Sequence, residues 1–497
     1  MRPGRARLAR PGGDRSGERR ARCLRRRAAH PRGPSAARRA AFHPRGRAGR
    51  CLALQAFLLA LGEREVCVKI RFVYARFERH ADAHPELRTF VSANEYFGPP
   101  SLGIASLAAV TPPDWEFDFR DDRVDDVGFD DDVDLVAISC FTPSAKRAME
   151  IADGFRARGR TVVMGGIFPT MRPAEAGEHA DAVVTGEGEV AWLELLSDFR
   201  RKALKPRYNG ETPADLSKLP VPRLDLYWGR ETESYHPDDF PVQLTRGCPL
   251  RCDACVLPTS MGRPMRHLPI EHVLGQLRQI AERGRLGSLT EDTSFLPVAG
   301  AQKHLGEVLD AIASEDLRCV SYVGTSMPML LATPSWLWDK LSNAGVRMFY
   351  LVGGFDPITR RAFSGEDPVA YRKAVDAIRR ARDHGIDPYT SFMVGNEGDD
   401  DGVFDRMLEF SEAANVRKAE FAIFTPYPGT PSWDRLRAEG RILHCDWSKY
   451  NDANVVFRPA KMSPERLLEG YLHLWREFYR ARPSIQNSDY AARTVQF

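Results

Sequence analysis

A chain of 497 residues exceeds what one ordinary hydrophobic core fills, so two or three domains are expected. Its 43% hydrophobic and 28% charged residues are those of a soluble globular protein. The formal net charge of +4 is uneven: residues 1–50 hold 17 Arg, no Lys, one Asp and one Glu, or +15, leaving −11 on the rest and no case for nucleic-acid binding.

Residues 1–65 open on an Arg, Ala, Gly and Pro stretch with almost nothing apolar to bury, so disorder is expected there. A start codon placed too far upstream explains this segment better than a targeting arm. The apolar run Leu52–Leu61 is too short to span a membrane and lacks a small-residue cleavage site. No other stretch approaches a span, and a cytoplasmic protein is expected. Of the nine cysteines, six are scattered and three are clustered, a pattern of reduced thiols and not of a disulfide framework.

Ordered structure is expected from Val66, where VCVKIRFVYA reads as a buried strand. A Pro-opened helix over 98–110 follows. Further strands are predicted over 132–140, 161–166 and 181–189, with an amphipathic helix through SAKRAMEIADGFRARG. Short β-branched runs alternating with helices make residues 66–205 a doubly wound, Rossmann-like parallel α/β domain. Such sheets bind ligands at the carboxyl ends of their strands, where Ser139, Thr142, Gly165, Gly166, Gly186 and Gly188 fall.

A Pro-rich linker is placed at 206–240. The alternation then restarts over 241–435, with six strand candidates: PVQLTRGCP, GSLTEDTSF, CVSYVGTS, RMFYLVGGFD, YTSFMVGNEGDD and AEFAIFTPYPGTP. Six β/α units predict a partial or full barrel with its active groups at the strand C-termini. Residues 436–497 form a C-terminal helical extension, whose helix over 463–481 has a Ser N-cap. Its Tyr471, Trp475, Phe478 and Tyr479 stripe reads as core before it reads as a substrate entrance.

Cys248, Cys252 and Cys255 lie in one loop directly after a predicted strand. Three thiolates on a 4Fe–4S cubane leave one iron without a protein ligand, free to chelate the amino and carboxylate groups of S-adenosylmethionine (SAM). A zinc site completed by His267 is the competing reading. The three-then-two spacing behind Arg246-Gly247 resembles the radical SAM superfamily, although Ala254 stands where relatives usually carry an aromatic. That resemblance implies SAM-binding roles for Glu291 and Asp292 after the second strand, Gly353, Gly354 and Asp356 after the fourth, and Gly395 after the fifth.

The stretches GPPSLGIASLAA, LVAISCFTPSAKRAMEIAD, VVMGGIFPTMRPAEA and ADAVVTGEGE resemble the cobalamin-binding domain that precedes the barrel in one large radical SAM subfamily. This implies cobalamin contacts at the six strand-end residues named above. Classical carriers place a cobalt-ligating His in Asp-x-His-x-x-Gly; Asp82 and His84 match without the glycine, and His84 is expected to be a chance match. The subfamily resemblance implies three cofactors (a 4Fe–4S cluster, SAM and cobalamin), a small-molecule substrate and an external electron donor of flavodoxin or ferredoxin type. The implied activity is methyl transfer to an unactivated carbon of a lipid, tetrapyrrole or natural-product precursor. Cyclisation or rearrangement with the same cofactors, or a non-catalytic cobalamin sensor, are the alternatives.

Overall fold

A computed structural model describes residues 68–90, 102–210, 213–229, 240–289, 295–298, 300–354 and 356–482. The Arg-rich segment, Glu291 and Asp292 lie outside the described residues.

Two six-stranded parallel sheets organise the chain. The first contains β1 (Lys69–Tyr74), β2 (Glu116–Asp121), β3 (Leu135–Ser139), β4 (Thr161–Gly165), β5 (Ala182–Gly186) and β6 (Arg207–Gly210), in the order β2-β1-β3-β4-β5-β6. Strands β1, β3, β4 and β5 are the Val- and Ile-rich runs that the pattern predicts, and their side chains pack well on a pleated surface. The lateral order reverses between β1 and β3, and that switch point opens a crevice at the carboxyl ends of the strands.

Two of these strands carry no comparable apolar run. In β2 the sequence is EFDFRD, and a buried Arg71 of β1 secures it, pairing bidentately with Asp118 at 2.9 and 2.6 Å. β6 extends the first sheet into the expected linker; its Tyr208 hydroxyl donates to Asp198 at 2.9 Å.

The second sheet holds β7 (Phe240–Pro241), then β10 (Gly287–Leu289), β11 (Val320–Ser326), β12 (Met348–Gly353), β13 (Asp387–Val394) and β14 (Lys418–Ile423). Between β7 and β10 lies a separate antiparallel ribbon, β8 (Thr245–Arg246) with β9 (Arg266–His267). The order β14-β13-β12-β11-β10-β7 is sequential, and amphipathic helices such as Ile270–Glu282 and Pro368–Asp383 cross between the strands. This is a partial barrel of six β/α units. The predicted first strand is split: only Phe240–Pro241 joins the sheet, while Thr245–Arg246 turns away into the ribbon.

Both sheets belong to one compact unit, Val66–Phe497. Apolar side chains on one face of the first sheet run continuously into the barrel core, from Ile70 and Phe72 to Phe349 and Phe421. Its other face packs against Trp433, Trp447 and Tyr450 beyond β14. The helix Pro464–Arg480 covers β14 and is capped by Ser463, whose hydroxyl accepts from the Arg466 N–H at 3.1 Å. Tyr471, Trp475, Phe478 and Tyr479 are all at most 2% exposed, so the aromatic stripe is core. Among the described residues no helix is long and apolar enough to cross a membrane.

Candidate cofactor sites

The β8–β9 ribbon presents the cysteine loop. Gly247 follows β8 with φ +84°, and the Cys248 N–H donates to the Gly262 carbonyl at 3.0 Å. Cys248 is buried, Cys252 and Cys255 are half-buried, and all three are free thiols. Burial, followed by the charges of Cys255 and Cys248, pushes the Cys252 thiol up to about 11. Burial also raises Cys248 and Cys255. Three thiols that sense one another's charge become thiolates together only when bound metal supplies positive charge. A 4Fe–4S cubane takes each thiolate on a different iron, whereas a single zinc ion needs its donors around one point. His267 stands on β9 with its ring 4.7 Å from that of His304. The loop is tied to the barrel by the Asp253 carbonyl, which accepts from the Ser432 N–H at 2.8 Å, and by Arg360 beside the Asp253 carboxylate at 3.7 Å.

Gly353, Gly354 and Asp356 sit where β12 gives way to the helix Pro357–Ser364. One Asp356 oxygen accepts from the Ile358 and Thr359 N–H groups at 2.8 and 3.1 Å, and the other takes the Thr359 hydroxyl at 2.5 Å. Its carboxylate therefore acts as the N-cap of that helix. Thr359 in turn accepts the Gly354 N–H at 2.8 Å. After β13, the Gly395 and Asn396 N–H groups both donate to half-buried Asp399 at 2.9 Å. Within the barrel, buried Glu420 on β14 accepts from the Tyr350 and Tyr389 hydroxyls.

At the switch point of the first sheet lies a cavity of about 490 Å³. Ser139, Gly165, Gly166, Gly186 and Gly188 line its mouth, as their strand-end positions predict. Thr142 does not. It opens a buried 3₁₀ turn, Thr142–Ser144, which packs against the turn Trp447–Lys449. Below the mouth the cavity runs between Ala137, Val163 and Val184 of the sheet and Trp192 of the helix Gly188–Arg200. Its opposite wall is Arg246 with Leu257, Ser260 and Met261, the segment that follows Cys255. A glycine-lined mouth above an apolar slot fits a flat macrocycle with a nucleotide tail. Gly166 itself is required by the fold: its φ is +103°, and a Cβ there would lie 2.6 Å from the Cys140 carbonyl oxygen.

Comparison with known proteins matches residues 89–196 to the B12 binding domain, residues 242–411 to the radical SAM superfamily and residues 430–497 to a domain of unknown function, DUF4070. The chain is a radical SAM protein with a fused B12-binding domain. It is 27% identical over 387 residues to bacteriochlorophyllide d C-12(1)-methyltransferase of Chlorobaculum tepidum, covering 76% of this chain and 82% of that one. Bacteriochlorophyllide d C-8(2)-methyltransferase of the same organism is 28% identical over 403 residues, covering 76% and 86%. Among solved structures, the radical SAM methyltransferase TsrM of Kitasatospora setae superposes with a TM-score of 0.57 at 18% identity, over 75% of this chain and 76% of that one, a likeness of fold.

In this radical SAM protein the B12-binding domain meets the cysteine ribbon through ion pairs that sequence reasoning did not anticipate. Arg246 places Nη1 3.1 Å from Glu187 Oε2 and Nη2 2.6 Å from Glu189 Oε1. Arg266 also pairs with Glu187, from the partner strand of the ribbon. Burial alone would raise the Glu187 carboxyl, but Arg266 and Arg246 together hold it below the ordinary range. The motifs GEGE and TRGCP contain all but one of these side chains, yet their glycines and cysteine carried the reading. Nothing in the linear sequence pairs residues 57 positions apart. His84 is not at the cavity: its Nε2 lies 2.7 Å from the Ala453 carbonyl oxygen, and among the described residues no histidine lines the cavity.

Proposed function

We propose that the chain is a cobalamin-dependent radical SAM C-methyltransferase acting on an unactivated carbon of a small molecule. The observation that carries this reading is the shared cavity, walled on one side by the strand ends of the B12-binding domain and on the other by the segment after Cys255. Cys248, Cys252 and Cys255 hold the 4Fe–4S cluster; the strand-end backbone from Ser139 to Gly188 holds cobalamin. When bound, the cluster supplies the electron that cleaves SAM, and cobalamin carries the methyl group. Leu257 and Met261 present apolar surface between the two sites and exclude water from it. The two bacteriochlorophyllide methyltransferases favour a tetrapyrrole over a lipid or another natural-product precursor. The electron comes from an external donor of flavodoxin or ferredoxin type.

The test is anaerobic reconstitution with iron, sulfide and cobalamin, followed by turnover with methyl-deuterated SAM, a one-electron reductant and a bacteriochlorophyllide-type tetrapyrrole. The expected products are 5′-deoxyadenosine and substrate gaining one deuterated methyl. Deoxyadenosine without methyl transfer would favour ring formation or rearrangement, and no SAM cleavage would leave a sensor.

A further inference from the structure

We propose that Glu187, Glu189, Arg246 and Arg266 form a clamp whose job is register: it fixes the cobalamin cavity against the cysteine loop. The inference rests on the reading that cobalamin occupies that cavity. Glu187 and Glu189 flank Gly188 at its mouth, and Arg246 stands two residues before Cys248. The clamp therefore links residues flanking one candidate cofactor site to a residue two positions from the other.

Its composition is what assigns it to register instead of adhesion. Glu187, Glu189 and Arg246 are each at most 9% exposed. Burying such charges costs about as much as their pairing returns, and apolar residues of equal volume would hold the interface at least as firmly. Forked guanidinium–carboxylate bonds are directional, however, and tolerate one alignment. A slip of the ribbon by the width of one carboxylate would strand a buried charge, so only one register is low in energy. The alignment is itself braced: Arg246 Nε donates to Gln243 Oε1 at 2.9 Å, and fully buried Gln276 holds the Gln243 backbone from both sides at 3.1 Å. Group transfer between two bound cofactors is sensitive to misplacement of the order of 1 Å, which makes such a brace useful. These four are positioning residues.

The test uses reconstituted holoenzyme and three variants: Glu189→Gln, the apolar pair Glu189→Met/Arg246→Met, and Arg266→Lys at the more exposed corner. Three quantities are read: iron and cobalamin content, the ratio of methylated product to 5′-deoxyadenosine, and paramagnetic broadening of the cob(II)alamin signal by the reduced cluster. Iron content should stay at wild-type level while the ratio, taken per bound cobalamin, falls at least tenfold in the first two variants and about threefold in Arg266→Lys. The broadening should become heterogeneous. The Met pair should match wild type in melting temperature, because it keeps adhesion and loses direction. Loaded variants with wild-type ratio and broadening would overturn the proposal. So would variants that lose cobalamin, which would make these residues part of the binding floor. A wild-type protein that takes up no cobalamin sinks the functional reading itself, and is seen before any variant is made.

Discussion

His84 stands two residues after Asp82, the spacing of a cobalt ligand, yet its Nε2 is bonded to the Ala453 carbonyl and its ring lies 5.8 Å from Tyr471. Neighbouring His80 is driven down to about 3 by burial and then by His84, so it stays neutral, and its Nδ1 lies 2.9 Å from the Tyr471 hydroxyl. Both rings thus join the segment after β1 to the C-terminal part of the chain. Replacing His84 by Ala should cost about 1 kcal/mol of stability, the worth of one hydrogen bond, and lower the melting temperature by a few degrees. Cobalamin binding should not change. In electron paramagnetic resonance of the cob(II)alamin form, wild type and His84→Ala should look alike, without the threefold splitting that an axial nitrogen imposes. A triplet present in wild type and lost in the variant would make His84 the ligand after all. At this scale the placement of the strand-end glycines on the cavity was readable, because few other roles suit glycine at such positions. The duties of Asp356 and Glu187 were not, because a carboxylate serves equally as cap, ion-pair partner or ligand until its neighbours are known.

Among the elements, the strands recognised from sequence are those whose own side chains fill the core, such as β3 and β4. Strands β2 and β6 were missed for a common reason: each is held by partners outside itself, β2 by the Arg71 fork and β6 by pairing with β5. The β8–β9 ribbon was hidden differently. The run PVQLTRGCP reads as one strand, but the chain leaves the sheet after Pro241 and pairs Thr245 with His267 across the nineteen residues 247–265. Gly247 is the hinge of that departure. Its φ is +84°, and a Cβ there would sit 2.2 Å from the Pro264 carbonyl and 3.2 Å from that of Gly262. Backbone atoms cannot give way as a flexible side chain would, and a left-handed alanine costs roughly 1–2 kcal/mol before any clash. Gly247→Ala should therefore disturb the ribbon and lower bound iron severalfold while cobalamin uptake stays near normal. Iron and cobalamin assays on the same preparation check this, and wild-type iron content would show that the ribbon is not needed to present the thiols.

In the whole molecule, the barrel and the B12-binding domain share one continuous apolar core, while the residues assigned to the two metal cofactors are contributed separately. The cavity is shaped by the strand ends of the first sheet; the cysteine loop is held by backbone bonds from Cys248 to Gly262 and from Ser432 to Asp253, and by the Arg246 and Arg266 pairs. None of these supports uses a thiol. Changing Cys248, Cys252 and Cys255 together to Ala removes three sulfurs, two of them on half-exposed residues, so little core volume is lost. The metal-free triple variant should melt within a few degrees of metal-free wild type. After anaerobic reconstitution it should lack the brown cluster absorbance and cleave SAM only at background, yet take up cobalamin in the wild-type amount. Three measurements on one sample separate the cases: iron content reads the triplet, deoxyadenosine reads the chemistry, and bound cobalamin reads the first sheet. Retention of about four irons with SAM cleavage would remove the triplet from its assigned role. Loss of cobalamin along with iron would mean that the cavity wall after Cys255 is built only when the cluster is in place, and the two sites would then assemble as one.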